Sequence, residues 1–354
     1  MHPFLLTSKI NRTILHEGRD YLFFSGTAYL GMGSSEAFEE LVISGIKKYG
    51  LNHGLSRINN VRLAVYGQFE TYFAEKAGAD RALVWSSGYL AGNAAVNHLR
   101  KGMDKVFVAP DTHPAVLPED WALDPKPTFA EWVSMVGAFC EKNPAQKILI
   151  LGNALDPLEP SLHDYNWIQT LPLKHEYTLL VDDSHAFGVA GEGIFGTYRQ
   201  LKHLSVNLVV SGSLGKGIGL PAGIILGNLE TIGLIENHQT FRSSSPPPPA
   251  YLDAFLQGQH LYVERKEKLF NNLEYFSALT KNTKGLTFIP RYPVYSFTDP
   301  NWVNHLQEHG IIVSSFPYPS AHSRKVNRIV ISAHHEESDL YTLSKVLGAI
   351  AEHS

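Results

Sequence analysis

The sequence predicts an α/β protein: a large domain built on a mostly parallel central sheet, followed by a smaller C-terminal α+β domain. Three observations carry that expectation. Apolar, β-branched runs alternate with helical patterns through the middle of the chain, as in a sheet with helices on both faces. A Ser/Pro break, SSSPPPP at 243–249, precedes a stretch from Tyr251 to about Lys281 that reads helical throughout. Beyond it the strands shorten and mix with helices. A chain of 354 residues is long enough for a large domain with a smaller companion. Residues 1–50 are expected to form an N-terminal segment contributing to the small domain, 51–250 the large domain, 251–284 a linking helix and 285–354 the small domain.

The elements follow in order. SSEAFEELVISGIKKYG puts Phe38, Leu41, Val42 and Ile46 on one stripe, with Ser35 as N-cap and Gly50 past the end, so it reads as one amphipathic helix. Strands are expected at ALVW (82–85), KVFVA (105–109), KILIL (147–151), TLLVDD (178–183), LVVS (208–211) and GIILG (223–227). Farther on, LTFIP, VYSFT, IIVSSF and RIVISA read as strands, and NWVNHLQEHG and ESDLYTLSKVLGAIAEH as helices. HHEE (334–337) reads as the solvated start of the last helix. No internal repeat is visible, and the only low-complexity tract is the run of four prolines.

Composition narrows the partners. With 30 Lys and Arg against 34 Asp and Glu, net charge −4, the chain has no electrostatic footprint for nucleic acid or an anionic membrane. Small ligands fit better. A single cysteine, Cys140, excludes an intrachain disulfide and suits a reducing compartment. The opening residues carry only the short apolar run FLL, and no stretch approaches the roughly 18 apolar residues of a membrane span, so a cytoplasmic location is expected.

In open α/β sheets, ligands gather at the carboxyl ends of the strands. Four such ends carry polar residues: SSGYLAGN after ALVW, PDTHP after KVFVA, DDSHAFG after TLLV and SGSLGKGIG after LVV. They bring forward Ser87, Gly88, His113, Asp182, His185, Ser213 and Lys216. SSGYLAGN is a strand, a glycine turn and a helix start, which is either a plain tight turn or a set of free amides for a phosphate. DDSH places two acids and a histidine together, but no further cluster with ligand spacing supports a metal.

Lys216 belongs to no phosphate loop. Val210 holds the first glycine position of G-x-x-x-x-G-K-[ST], and Gly217 follows the lysine. GIGLPA matches a dinucleotide fingerprint in form only, because Pro221 interrupts the helix it should open. The remaining readings are a surface lysine in a turn and a lysine that forms a Schiff base, its glycine neighbours leaving room for a flat ring. Pyridoxal phosphate needs a lysine for its aldehyde, a carboxylate to keep the pyridine nitrogen protonated, donors for its phosphate and an aromatic on its ring face. Lys216, Asp182, the Ser87–Gly88–Tyr89 turn and His113 supply all four.

From about Asp20 to the C-terminus, the chain resembles the α-oxoamine synthases, acyltransferases of fold type I that use pyridoxal phosphate. YLFFSGTAYLGM is similar to the family's opening segment and YGLNHGLSR to its glycine-rich turn ending in Ser-Arg. FETYFAEKAGADRALVWSSGYLAGNAAV, VDDSHAFGVAGEGIFG, SGSLGKGIG and RIVISAHHEESDL resemble the blocks that follow. The resemblance implies that Lys216 forms the Schiff base, Asp182 pairs with the pyridinium nitrogen, His185 contacts the ring hydroxyl and His113 stacks on the ring. It implies phosphate contacts from the Gly88 and Tyr89 amides and Ser213, with Ser244 or Ser245 reaching across from the second subunit of a homodimer. Arg328 matches the arginine that holds the amino-acid carboxylate.

The implied reaction is a decarboxylating condensation of an amino acid, L-alanine first, with an acyl thioester to give an α-amino ketone, with Lys216 removing the α-proton. Pimeloyl-CoA or its carrier-protein equivalent is the first expectation for the thioester, as in biotin biosynthesis. Chemistry of the serine palmitoyltransferase or 2-amino-3-ketobutyrate ligase type, a drifted aminotransferase and a non-catalytic pyridoxal-phosphate-binding protein stay open. The chain departs from the family pattern at Thr27, Ala28, Val61 and Tyr66, and over Ala154 to Leu158, where a serine near the ring is lost and Asn153 is the substitute. Cofactor positions are kept better than substrate positions.

Overall fold

The computed structural model describes residues 4–121, 127–156, 160–318, 323 and 325–352. Its strands are β1 (Thr13–His16), β2 (Arg19–Phe24), β3 (Arg81–Trp85), β4 (Lys105–Val108), β5 (Lys147–Asn153), β6 (Glu176–Asp182), β7 (Asn207–Ser213), β8 (Gly223–Gly227), β9 (Leu286–Thr287), β10 (Val294–Phe297), β11 (Ile311–Pro317) and β12 (Lys325–Val330). They form two six-stranded sheets, ordered β3-β8-β7-β6-β5-β4 and β1-β2-β11-β12-β10-β9.

The first sheet is the expected one. β4 to β7 are parallel, and only β8 runs against its neighbours, so β3 points the same way as β4 to β7. Successive residues point to opposite faces. Ile148, Ile150, Leu179, Val181 and Val210 enter one core cluster, and Leu149, Leu151, Leu180 and Val209 enter a second. Burial on both faces is why these strands read as unbroken apolar runs. Asp182 falls in step with Leu180, and Ser213 with Val209. Both therefore project toward the face covered by the Gly88–Leu99 helix, whose Ala91, Ala95 and Val96 belong to that second cluster.

β1 and β2 carry no strand expectation from the sequence. They form a hairpin closed by Glu17 and Gly18, both at positive φ, with His16 opposite Arg19. β2 then pairs in parallel with β11, nearly 300 residues later in the chain. The strands are short and only partly buried, so local apolar alternation is weak. The segment expected to be helical from Tyr251 onward is two helices, Pro249–Gln257 and Gln259–Leu279, broken at Gly258. HHEE is not solvated throughout. His335 is fully buried, stacks on Phe24 at 4.1 Å, accepts from the Ser332 amide and donates to the Phe23 carbonyl. Both ring nitrogens are thus satisfied, which is what lets a histidine be buried.

Among the described residues, no helix is long and apolar enough to cross a membrane. The same residues contain no group of three or more His, Cys, Asp or Glu that could hold a metal ion.

Candidate active site

The carboxyl ends of β3 to β7 meet at one rim. After β3, Ser87 caps the Gly88–Leu99 helix by accepting from the Leu90 amide at 3.2 Å. The Gly88 and Tyr89 amides, in the first turn, have no intrahelical partner. A Cβ on Gly88 would fall on the backbone of Ser213, so the helix start and the end of β7 lie main chain against main chain. Ser213 accepts from the Gly215 amide at 3.2 Å, which leaves its own O–H to donate. Two free amides and a hydroxyl at a helix N-terminus make an anion cradle.

His113, after β4, is fixed by its own turn. Its Nδ1 accepts from the Ala115 amide at 3.1 Å, so the neutral ring carries its proton on Nε2. Asn153 at the end of β5 braces the same turn. Its Oδ1 accepts from the His113 amide at 3.1 Å, and its Nδ2 donates to the Asp111 carbonyl at 2.7 Å. Both ends of the Asn153 amide are therefore committed to the 111–113 turn. Pro157 and Leu158, part of the substituted stretch, lie outside the described residues.

Asp182 ends β6 and is buried. Its Oδ1 accepts from the Ser184 amide at 2.7 Å. Its Oδ2 stands 3.9 Å from His113 Nδ1, beyond hydrogen-bond reach, and is available to a further donor. That short separation is not an ion pair: burial, ahead of the Lys216 charge, lowers the pKa of His113, against the raising effect of Asp182. Burial likewise lowers the pKa of Lys216, with Asp182 opposing and Arg328 adding to the shift. A lysine with a depressed pKa keeps more free amine at neutral pH.

His185 is buried, and its Nδ1 lies 2.7 Å from the Tyr29 hydroxyl. Burial drives its pKa well below the ordinary value, and the charges of Lys216, Arg328 and His113 add to the effect. Arg328 on β12 is buried as well, with its guanidinium 5.7 Å from the Phe316 ring centroid. The two sheets therefore face each other across this cluster.

Ser244 and Ser245 stand apart from the cluster. They line a separate cavity of about 430 Å³ with the 51–57 turn and Pro246–Pro249, and the Ser244 hydroxyl donates to the Thr240 carbonyl. Val61 is exposed in that cavity's wall, and the Tyr66 hydroxyl donates to the Pro247 carbonyl at 2.9 Å. The Ser-Arg turn has a structural use too. Arg57 makes a bidentate pair with Glu70, at 2.9 and 2.8 Å, beneath the Tyr66 ring.

One of the two glycines flanking Lys216 also has a packing role. A Cβ on Gly217 would strike the Phe187 carbonyl, so this glycine lets the lysine loop lie against the 187–188 backbone. Three tyrosines complete the site: Tyr29, which lies in the YLFFSGTAYLGM block with no role expected of it there, Tyr292 beside it, and Tyr318, whose ring lies 6.4 Å from that of His113 at 25°. Ser184, which accepts from the Ser213 amide at 2.8 Å, ties β6 to β7 under the cluster.

The neighbouring acid, Asp183, is structural. It is fully buried and accepts from the Thr197 amide at 2.6 Å and the Thr197 hydroxyl at 2.7 Å. Burial pushes its carboxyl from an ordinary 3.8 up to about 7, with Asp182 adding and the Thr197 bonds opposing. A carboxyl raised on folding favours the protonated native state. Its stabilising contribution is complete below the unfolded value of 3.8 and is lost as pH rises through about 7. Asp183→Asn mimics the protonated form. The Tm of the variant minus that of the parent is therefore expected to become more positive between about pH 5 and about pH 8. Thermal denaturation at the two pH values checks this, and a difference that shrinks as pH rises is the contrary outcome.

The donor set fits pyridoxal phosphate. A side chain at Gly88 would collide with Ser213, so the helix start stays bare, Asp182 Oδ2 lies where one donor can reach it, and a lysine with a depressed pKa sits among them. Comparison with known proteins adds to this. The chain is 26% identical over 353 residues to the 8-amino-7-oxononanoate synthase of Nitrosomonas eutropha, covering 95% of this chain and 91% of that protein. The serine palmitoyltransferase of Sphingomonas wittichii superimposes with a TM-score of 0.84 at 16% identity, over 99% of this chain and 92% of that one. The 8-amino-7-oxononanoate synthase of Francisella tularensis does so with 0.74 at 19% identity, over 94% of this chain and 98% of that one. These likenesses show the fold, which is the expected fold type I arrangement. The model of one enzyme family, aminotransferase class I and II, matches residues 28–347, nearly the whole chain, and the chain belongs to that family.

Proposed function

We propose that the chain is a pyridoxal-phosphate-dependent α-oxoamine synthase, condensing an amino acid with an acyl thioester and releasing carbon dioxide and the free thiol. L-alanine and a pimeloyl thioester, the pair used in biotin biosynthesis, are the proposed substrates. The observation that carries the reading is the meeting of Lys216, Asp182, His113 and Arg328 at the facing edges of two sheets. Bound there, pyridoxal phosphate supplies a protonated pyridine ring that accepts the electrons of a broken bond at the amino-acid α-carbon.

The chain's own groups have separate tasks. Lys216 would hold the cofactor's aldehyde carbon until the substrate amine takes its place, and the amine so freed, kept unprotonated by its depressed pKa, would accept the α-proton. Asp182 Oδ2 keeps the ring nitrogen protonated, and His113 covers one ring face. Gly88, Tyr89 and Ser213 hold the phosphate. Arg328 takes the substrate carboxylate in a bidentate grip that a lysine would fill poorly. Ser244 or Ser245 reaches the phosphate of the other subunit in a homodimer, and the enzyme acts in the cytoplasm. The names of the curated relatives support the synthase reading.

The test is incubation of the holoenzyme with glycine, L-alanine or L-serine and a panel of acyl-CoA thioesters. Stoichiometric release of free CoA and carbon dioxide, greatest with L-alanine and pimeloyl-CoA, is the expected result. Keto acid formed without CoA release would instead make the protein an aminotransferase, and an absorption spectrum that responds to no amino acid would make it non-catalytic.

A further inference from the structure

The Tyr29 hydroxyl and His185 Nδ1 lie 2.7 Å apart, brought together from positions 156 residues distant. Both side chains are buried, Tyr29 completely. The proton between them can belong to either partner, and the choice decides whether the other ring nitrogen, Nε2, carries a hydrogen. Tyr292 bears on that choice. Its ring packs edge-on against Tyr29 at 6.2 Å and 61°, which brings a second buried tyrosine beside the pair. When Tyr292 donates to the Tyr29 oxygen, Tyr29 keeps its own proton for His185. The groups facing the imidazole are Lys216, Arg328 and His113, each of which disfavours an imidazolium, so His185 is neutral and carries one N–H.

We propose that Tyr29, backed by Tyr292, is a positioning residue that donates to His185 Nδ1 and so locks the imidazole as the Nε2–H tautomer, a fixed donor to the site. The use of that donor rests on the pyridoxal phosphate reading: Nε2–H would meet the cofactor's ring oxygen in its ionised, accepting form. The tautomer itself does not depend on that reading. The His113 ring reaches the same state by another route, its Nδ1 taken by a backbone amide instead of a tyrosine. The site would then present two imidazoles of like polarity, one set by its own loop and one by a side chain from the start of the chain.

The experiment is nitrogen NMR of ¹⁵N-histidine-labelled protein without cofactor, with the His185 signals assigned by their loss in His185→Gln. The native protein is expected to show His185 as the Nε2–H form. Tyr29→Phe is expected to lower the ratio of Nε2–H to Nδ1–H by about tenfold, and Tyr292→Phe by less in the same direction. The His113 signals should stay unchanged in both variants, since their tautomer is set by Ala115. A native His185 protonated at Nδ1, or a ratio unmoved by Tyr29→Phe, overturns the proposal. If Tyr29→Phe does not fold, the native tautomer and the Tyr292→Phe shift decide it. Failure of the protein to bind pyridoxal phosphate would defeat the functional reading and leave this result standing.

Discussion

Lys216→Ala is expected to lower turnover by at least about 10³-fold while leaving the fold intact. The lysine has two tasks in the proposed reaction, anchoring the cofactor and moving the α-proton, and alanine performs neither. The loop itself should survive the change. It is held by the close approach of Gly217 to the Phe187 carbonyl and by the Leu214 and Leu220 amides, which bond to the Ala222 and Leu214 carbonyls at 2.9 Å each. None of these contacts uses the lysine side chain. Removing a partly buried amine whose pKa is depressed by burial also relieves a desolvation cost, so the Tm should not fall. Borohydride trapping checks the anchoring role. Native protein treated with borohydride should carry the cofactor covalently through denaturation, and the variant should not. Covalent retention in Lys216→Ala would remove the lysine from its assigned place.

The parts of the site that could be read from the sequence share one physical origin. A parallel strand buried on both faces reads as an apolar run, and the first polar residues after it fall at the rim where ligands bind. Ser87, His113, Asp182 and Ser213 are all of this kind. Tyr29 and Tyr292 are not. They sit on connections of the second sheet, and their place beside His185 depends on how that sheet docks against the first. The YLFFSGTAYLGM block marks the neighbourhood of Tyr29 but not its partner, and nothing near Tyr292 marks it at all. Local polarity also misleads where burial is satisfied at long range. His335 lies in a run that looks solvated, yet its ring nitrogens bond to Ser332 and to Phe23, more than 300 residues away. The β1–β2 hairpin escapes for a related reason, since its partner strand β11 is remote and its own strands are short. Gly217 next to Lys216 is visible at once, but the surface that requires it, the Phe187–Gly188 backbone, appears only in three dimensions.

Asp182→Asn tests the electrostatic half of the same chemistry. One carboxylate oxygen is already taken by the Ser184 amide at 2.7 Å, and that bond will select the rotamer of the replacement. Asparagine must turn its carbonyl oxygen to Ser184, because its amide nitrogen cannot accept. The NH₂ group is then left where Asp182 Oδ2 had been, a donor facing a ring nitrogen. A pyridine nitrogen accepting from that donor is unprotonated, and an unprotonated ring is a poor electron sink. The expected outcome is a fall in kcat of about 10²- to 10⁴-fold at full cofactor occupancy, with KM for the amino acid little changed, since Arg328 still holds the carboxylate. The change also removes the neighbouring negative charge that raises the pKa values of His113 and Lys216, so both should titrate lower than in the parent. A variant with native kcat at full occupancy would mean that Asp182 does not face the ring nitrogen. Asp182→Glu keeps the charge but lengthens the arm in a buried site, and recovery of part of the lost activity there would assign the effect to charge instead of shape.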